Sequence, residues 1–405
     1  VRGIKIATAF GIPIRFHWTF LIILPVFAAI IGWDIVLLAE LLNTAFGAEI
    51  EPTALEGTWR PWILGFVAAV GLFAGVLLHE IGHSLVALRY EYEIESITLW
   101  LLGGLANFTA MPEDWRHEFW IAIAGPIVSI GVGAVCYLGF LLTPPEIDSV
   151  RFVLSYLAVL NVFLAGFNML PAFPMDGGRV LRAILARRRP HAEATQLAAD
   201  VGKFFAVLLG LFGLLTFNVV LLLLAFFIYI AAAGEAQQTT IRAAFEGVTV
   251  GEVMTHREAL QVVAPETTVN ELMERMLQER HTGYPVVDHG EVVGVVTLTD
   301  AREIKTTERD AFRIEDIMTR PVLTVSPSAD AMDAFERIQQ NEIGRLPVVT
   351  ADGDLVGIIS RTDLMKAFNI MQAGGISYLK DELFDDSGDA DESGDTGDPI
   401  KYDPR

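Results

Sequence analysis

Long apolar runs recur through the first 235 residues, beginning with HWTFLIILPVFAAIIGW at His17 and ending with residues 201–232. Each is close to the roughly 20 residues a helix needs to cross the hydrocarbon core of a bilayer. With 52% hydrophobic residues among 405, the chain reads as a multi-pass α-helical membrane protein of about six transmembrane helices. The first run follows Arg2, Lys5 and Arg15 but has no small-residue cleavage site after it, so it reads as a retained helix. Further helices are expected over about 61–90, 118–142 and 151–170. Residues 201–232 suit either one tilted span or a hairpin turning at Thr216-Phe217-Asn218.

Charge orients the spans. Residues 34–60 hold Asp34, Glu40, Glu49, Glu51 and Glu56 against Arg60, whereas Arg89, Arg116 and the RVLRAILARRR stretch from Arg179 mark the opposite side. Positive loops favour the cytosol. The formal charge of -21 argues against a nucleic-acid partner. Acidic residues abound and the basic ones are mostly Arg, a balance expected of a salt-rich cytosol such as that of a halophilic prokaryote. The lone Cys136 excludes a disulfide framework and reads as packing.

Within the second span stands VLLHEIGHSLVA, residues 76–87. Two histidines four residues apart share one helical face and can reach one metal, with the intervening carboxylate beside its water. His79 and His83 are therefore candidate ligands and Glu80 a candidate base. Ionisable groups in a span are costly unless they pair or coordinate. A third ligand is available in FNMLPAFPMDGGR, residues 167–179, where prolines and glycines break the fourth helix and leave Asp176 near the same depth. Asp176 also suits a helix-capping role before RVLRAIL. Asn168 can donate to a developing oxyanion or make a helix–helix hydrogen bond.

After Val248 the chain becomes a soluble α/β region with an internal repeat. VMT at 253–255 returns as IMT at 317–319, TGYPVVD at 282–288 as GRLPVVT at 344–350, and GVVTLTD at 294–300 as GIISRTD at 357–363. The expected unit is strand, helix, strand, strand, helix. The boundaries are a membrane domain over 1–235, repeats over 248–305 and 312–370, and an acidic tail over 381–405 expected to be disordered.

HEIGH together with Asn168, Pro171, Pro174, Asp176, Gly177 and Gly178 resembles the site-2 protease family of intramembrane zinc metalloproteases. The resemblance implies one Zn(2+) held by His79, His83 and Asp176, Glu80 as general base, and a transmembrane protein substrate cut near the cytosolic face. It also favours the hairpin over 201–232. IESITLWLLGGLANFTA, residues 94–110, reads as a strand or hairpin dipping toward the site, able to add an extended substrate strand, or as a plain connecting hairpin; His17 also matches a position in relatives, though a lone interfacial His is more often structural. The repeat resembles a tandem CBS domain, in which Thr297 and Asp300, then Ser360 and Asp363, match positions that contact an adenine nucleotide. Such pairs also dimerise, so a homodimer through this region is a second expectation. The competing functional class is a nucleotide-regulated transporter or channel, which would have no need of a Glu between two histidines plus a distant Asp.

Overall fold

The structure is a computed structural model that describes residues 3–101, 103–108, 112 and 114–372. The chain divides into two compact units, Val1–Thr239 and Thr240–Arg405. The expected acidic tail over 381–405 lies outside the described residues.

The first unit opens on a hairpin, β1 (Ile4–Ala9) and β2 (Ile12–Phe16). Its two-residue turn is Phe10-Gly11, both at positive φ, as tight hairpins require. Ile12 and Ile14 are buried while Pro13 and Arg15 are only partly so, the period-two pattern of a half-buried strand. Helices α1 (Phe20–Trp33) and α2 (Ile35–Phe46) follow, then α3 (Arg60–Arg89), β3 (Ile94–Trp100), β4 (Gly103–Phe108), α4 (Trp115–Leu142), α5 (Asp148–Asn168), α6 (Asp176–Ala186), α7 (His191–Leu215) and α8 (Val219–Phe245). The four strands form one sheet in chain order, with β2 and β3 parallel and the other neighbours antiparallel.

Among the described residues five helices, α3, α4, α5, α7 and α8, are long and apolar enough to span a bilayer, and α1 with α2 makes a sixth if the bent pair counts as one. This corrects the reading of the first run. The helix starts at Phe20, not His17, and bends by 70° into α2, which occupies part of the acidic stretch expected to be a connection. The break falls at Asp34, whose backbone leaves helical geometry at φ -98° and ψ 18°, and the 14 residues of α1 alone rise about 21 Å, short of a core of about 30 Å. His17 sits instead between β2 and α1, its backbone N–H donating to the Leu99 carbonyl at 2.9 Å and its ring meeting Thr19 Oγ1 at 2.8 Å. The turn between α7 and α8 falls at residues 216–218, where Asn218 Oδ1 accepts from the Val220 and Leu221 backbone and caps α8.

Small residues let the spans approach closely, as lipid supplies no hydrophobic drive between helices. A Cβ on Gly65 of α3 would overlap the Ala28 carbonyl of α1, and one on Gly82 would press on Val128 and the Ala124 carbonyl of α4. Phe20, Phe73 and Leu99 then join α1, α3 and β3 in a buried apolar cluster.

The second unit contains α9 (Val250–Val253), β5 (Thr255–His256), α10 (Val269–Glu279), β6 (Gly283–Asp288), β7 (Glu291–Thr297) and α11 (Leu298–Glu303), then α12 (Ile314–Ile317), α13 (Ala331–Gln340), β8 (Arg345–Val349), β9 (Leu355–Ser360) and α14 (Arg361–Gln372). The internal repeat shows in matched contacts. Val263 bridges Val286 in the first repeat, and Val325 bridges Val348 in the second. The strand expected to open each repeat is reduced to these single bridges, because a short extended segment meets its partner at one residue only. The repeats also exchange their leading segments: Met254 packs where Gly357 leaves room, and Met318 where Gly294 does. Thr255 and His256 pair with Ile358 and Gly357, as Thr319 bridges Val295. Neither repeat completes its packing without the other.

Candidate active site

HEIGH lies on α3 three turns before its end, with His79 and His83 only 4% and 5% exposed. The break after α5 brings the chain back at α6, whose first residue is Asp176. The return is tight: a Cβ on Gly177 would overlap the Met169 and Leu170 backbone, and one on Gly178 would crowd Ala172 and Phe173. Two glycines after Asp176 are thus a packing requirement. Asp176 does not cap α6 with its side chain; its carboxylate turns to the histidines.

Asp176 Oδ2 lies 3.0 Å from His79 Nε2 and 3.2 Å from His83 Nε2, and the two Nε2 atoms are 3.1 Å apart. Donor atoms around a tetrahedral zinc, at bond lengths of about 2.0–2.2 Å, stand roughly 3.3 Å from one another. The triangle fits that spacing closely. Its protonation also fits a cation. His83 Nδ1 faces the Ile121 carbonyl at 2.7 Å, which can only accept, so Nδ1 carries the proton and Nε2 presents a lone pair. His79 Nδ1 meets Ser129 Oγ at 2.9 Å. The His83 lone pair and the Asp176 carboxylate therefore point at the place that His79 Nε2 also faces, an arrangement that a cation between them would stabilise. Among the described residues this is the one group of three His, Cys, Asp or Glu side chains close enough to share a metal.

Helix α4 forms the wall behind the donors. Gly125 lies so close that a Cβ there would overlap His83 Nε2 and crowd His79 Nε2. On the other side, a Cβ on Gly104 of β4 would overlap the Glu80 side chain, so the carboxylate reaches the strand backbone. Asn168, the last residue of α5, is half-buried, and among the described residues no hydrogen bond joins its amide to the three donors. In the second unit Thr297 and Asp300 close a capping box at α11, with Asp300 Oδ2 accepting from the Thr297 hydroxyl and backbone N–H at 2.7 Å. Ser360 and Asp363 repeat it at α14 with bonds of 2.6 and 3.0 Å. The same positions thus stand at equivalent helix starts in the two repeats.

Sequence reasoning missed Ser129, Gly125 and a buried ion-pair group. Arg182, two turns into α6, bonds Glu118 of α4 at 2.5 Å and Glu235 of α8 at 2.7 Å, and lies over the Phe173 ring. It locks the helix carrying Asp176 against the helix that holds both histidine rings. Glu118 opposite Arg182 leaves no periodic signal, since the two are 64 residues apart. Arg182→Ala is expected to destabilise the first unit by about 3–5 kcal/mol, by stranding the Glu118 charge. Detergent-denaturation midpoints of the two proteins check this.

Comparison with known proteins places the chain in a family. The family model for peptidase family M50 matches residues 67–147 and 145–209, and the CBS domain model matches 250–305 and 314–370. Zinc metalloprotease MJ0392 of Methanocaldococcus jannaschii is 34% identical over 383 residues, covering 95% of this chain and 99% of that relative. Rip3 of Mycobacterium tuberculosis is 32% identical over 380 residues, covering 89% of this chain and 91% of its own. The solved site-2 protease from Methanocaldococcus jannaschii is 36% identical, covering 58% of this chain and 95% of that structure with a TM-score of 0.41. This chain belongs to peptidase family M50, the site-2 protease family of membrane zinc metalloproteases, and carries a C-terminal pair of CBS domains.

Proposed function

We propose that the protein is an intramembrane endopeptidase that cuts transmembrane segments of other membrane proteins near the cytosolic face, and that its CBS pair regulates access to the site. The observation that carries this reading is the meeting of His79, His83 and Asp176 at about 3 Å from one another inside a bundle of apolar spans. Those three residues would hold the zinc. When bound, zinc acts as a Lewis acid that brings the pKa of water toward neutrality and polarises a carbonyl. Glu80 takes the proton from the attacking water and returns it to the leaving amine. Asn168, with no side-chain partner among the described residues, donates to the developing oxyanion.

A substrate helix hides its peptide bonds in its own hydrogen-bond ladder and must be unwound before attack. Strand β4 is the last strand of its sheet and runs past Glu80 at Gly104, which supports strand addition as the way an extended substrate is held. Arg89, Arg116 and the basic turn Arg187-Arg188-Arg189 at the same ends of the spans support the cytosolic side. The test is purified enzyme in lipid with single-span candidate proteins. Cleavage within the span that a zinc chelator stops is the expected result; no cleavage of any span under conditions where zinc stays bound would overturn the reading.

For the CBS pair, the reading is adenine-nucleotide binding at Thr297–Asp300 and Ser360–Asp363, supported by their equivalent capping positions in the two repeats. Adenine nucleotide at about 100 times its dissociation constant is expected to stabilise this unit by roughly 2.7 kcal/mol. A calorimetric scan of the whole protein reads it as an upward shift in the melting transition of this unit. No shift at millimolar nucleotide would leave the pair as a homodimer contact.

A further inference from the structure

The His79 tautomer poses a problem that its immediate partner does not solve. For Nε2 to offer a lone pair, Nδ1 must carry the ring proton and donate it to Ser129 Oγ, 2.9 Å away. Ser129 is fully buried, and its hydroxyl proton then needs an acceptor. Were the hydroxyl to donate to Nδ1 instead, Nε2 would carry the proton and aim it at the other donors. What accepts the Ser129 proton therefore decides which way His79 faces.

Helical hydroxyls usually bond the carbonyl four residues earlier, as Thr143, Ser155, Thr195 and Thr216 do here. Among the described residues Ser129 makes no such bond. One turn deeper stands a matching acceptor. Asn161 of α5 is completely buried, and its amide Nδ2 donates to the Leu157 carbonyl at 2.8 Å, which turns Oδ1 the other way. That Oδ1 has no hydrogen-bond partner. A buried, unpaired amide oxygen costs about 1–3 kcal/mol, so its retention in an apolar bundle asks for a reason.

Two glycines fix its position. A Cβ on Gly75 would press into the Asn161 amide, and one on Gly133 would meet Asn161 Cβ. Gly75 is one turn before His79 on α3, and Gly133 is one turn after Ser129 on α4. A single water bonding at about 2.7–2.8 Å on each side would join two buried groups set a turn apart in this way.

The geometry points to Ser129 and Asn161 as one positioning unit for His79, joined by a buried water that accepts the Ser129 proton and donates to Asn161 Oδ1. Neither residue touches substrate or metal. They act by holding His79 with its Nε2 lone pair toward His83 and Asp176, and the proposal rests on His79 being a zinc ligand. Loss of such outer partners typically weakens metal affinity by about 10–100-fold.

The test measures zinc affinity of the full-length protein in detergent by chelator competition, beside the melting temperature of the metal-free form. Ser129→Ala and Asn161→Ala are each expected to weaken zinc binding by about tenfold or more. The double variant should be no weaker than the worse single one, because two parts of one unit do not add. Ser129→Thr keeps the hydroxyl and should restore affinity to within a few-fold of wild type. Melting of the metal-free protein separates this from packing, since loss of packing lowers it and a change of tautomer does not. If Asn161→Ala fails to fold, Gly75→Ala displaces the same amide with its side chain retained, and the same loss is expected. Unchanged affinity in Ser129→Ala, or losses that multiply in the double variant, would overturn the proposal. A wild-type protein that binds no zinc would instead overturn the ligand reading beneath it.

Discussion

Glu80→Gln is expected to retain about one zinc per chain and to lose about 10²–10⁴-fold in the rate of substrate cleavage. The amide is nearly isosteric with the carboxylate, so the packing against β4 at Gly104 survives. It removes the one group beside the donor triangle able both to accept a proton from water and to hand it on. Zinc content is read by mass spectrometry of the purified protein, and the rate by fragment appearance from a single-span substrate in lipid. Full activity in Glu80→Gln would take the base role away from this residue. Zinc loss in the same variant would show instead that the carboxylate helps to hold the metal.

His79→Ala combined with Asp176→Ala should reduce bound zinc from about one per chain to near none, and activity with it. A single remaining imidazole cannot hold the metal against water. The two substitutions also remove unequal things: His79 is held by Ser129 on α4, whereas Asp176 sits at the start of α6 and depends on the Met169–Met175 turn for its place. Zinc retained by the double variant would mean that the metal sits elsewhere, and the convergence at 3.0–3.2 Å would lose its meaning.

Much of the organisation was legible in the chain because the signals are local. A bilayer demands long apolar runs, and HExxH places its two histidines on one face by helical pitch alone. The turn at Thr216-Phe217-Asn218 was legible as one of two options, since the apolar stretch is long for one span, and Asn218 between its halves caps α8. The N-terminal hairpin was missed, although Ile12 and Ile14 alternate with Pro13 and Arg15 around a Phe-Gly turn. The apolar run that follows overwhelmed that short pattern. The bend at Asp34 was missed for the same reason: hydropathy reports the summed character of a window and is blind to where the axis turns.

The sequence by itself determined that the chain crosses a membrane, that its second half is an internal repeat, and that a His-Glu-His face and a DGG break lie near one another in depth. The apolar runs and the His-Glu-His face follow from composition and periodicity within one helix, and the repeat from motifs that return in the same order about 64 residues on. Only the tertiary structure decided which groups meet. Ser129 lies 50 residues from His79, Glu118 lies 64 from Arg182, and Asp176 lies 97 from His79. Gly125 and Gly104 matter for the side chains they admit, which belong to another helix and are invisible from their own neighbours. Contacts between distant segments are set by how whole helices pack, and packing depends on every pair of faces at once. A linear reading can name the donors, but the wall behind them and the partners that aim them appear only when α3, α4, α5 and α6 are brought together.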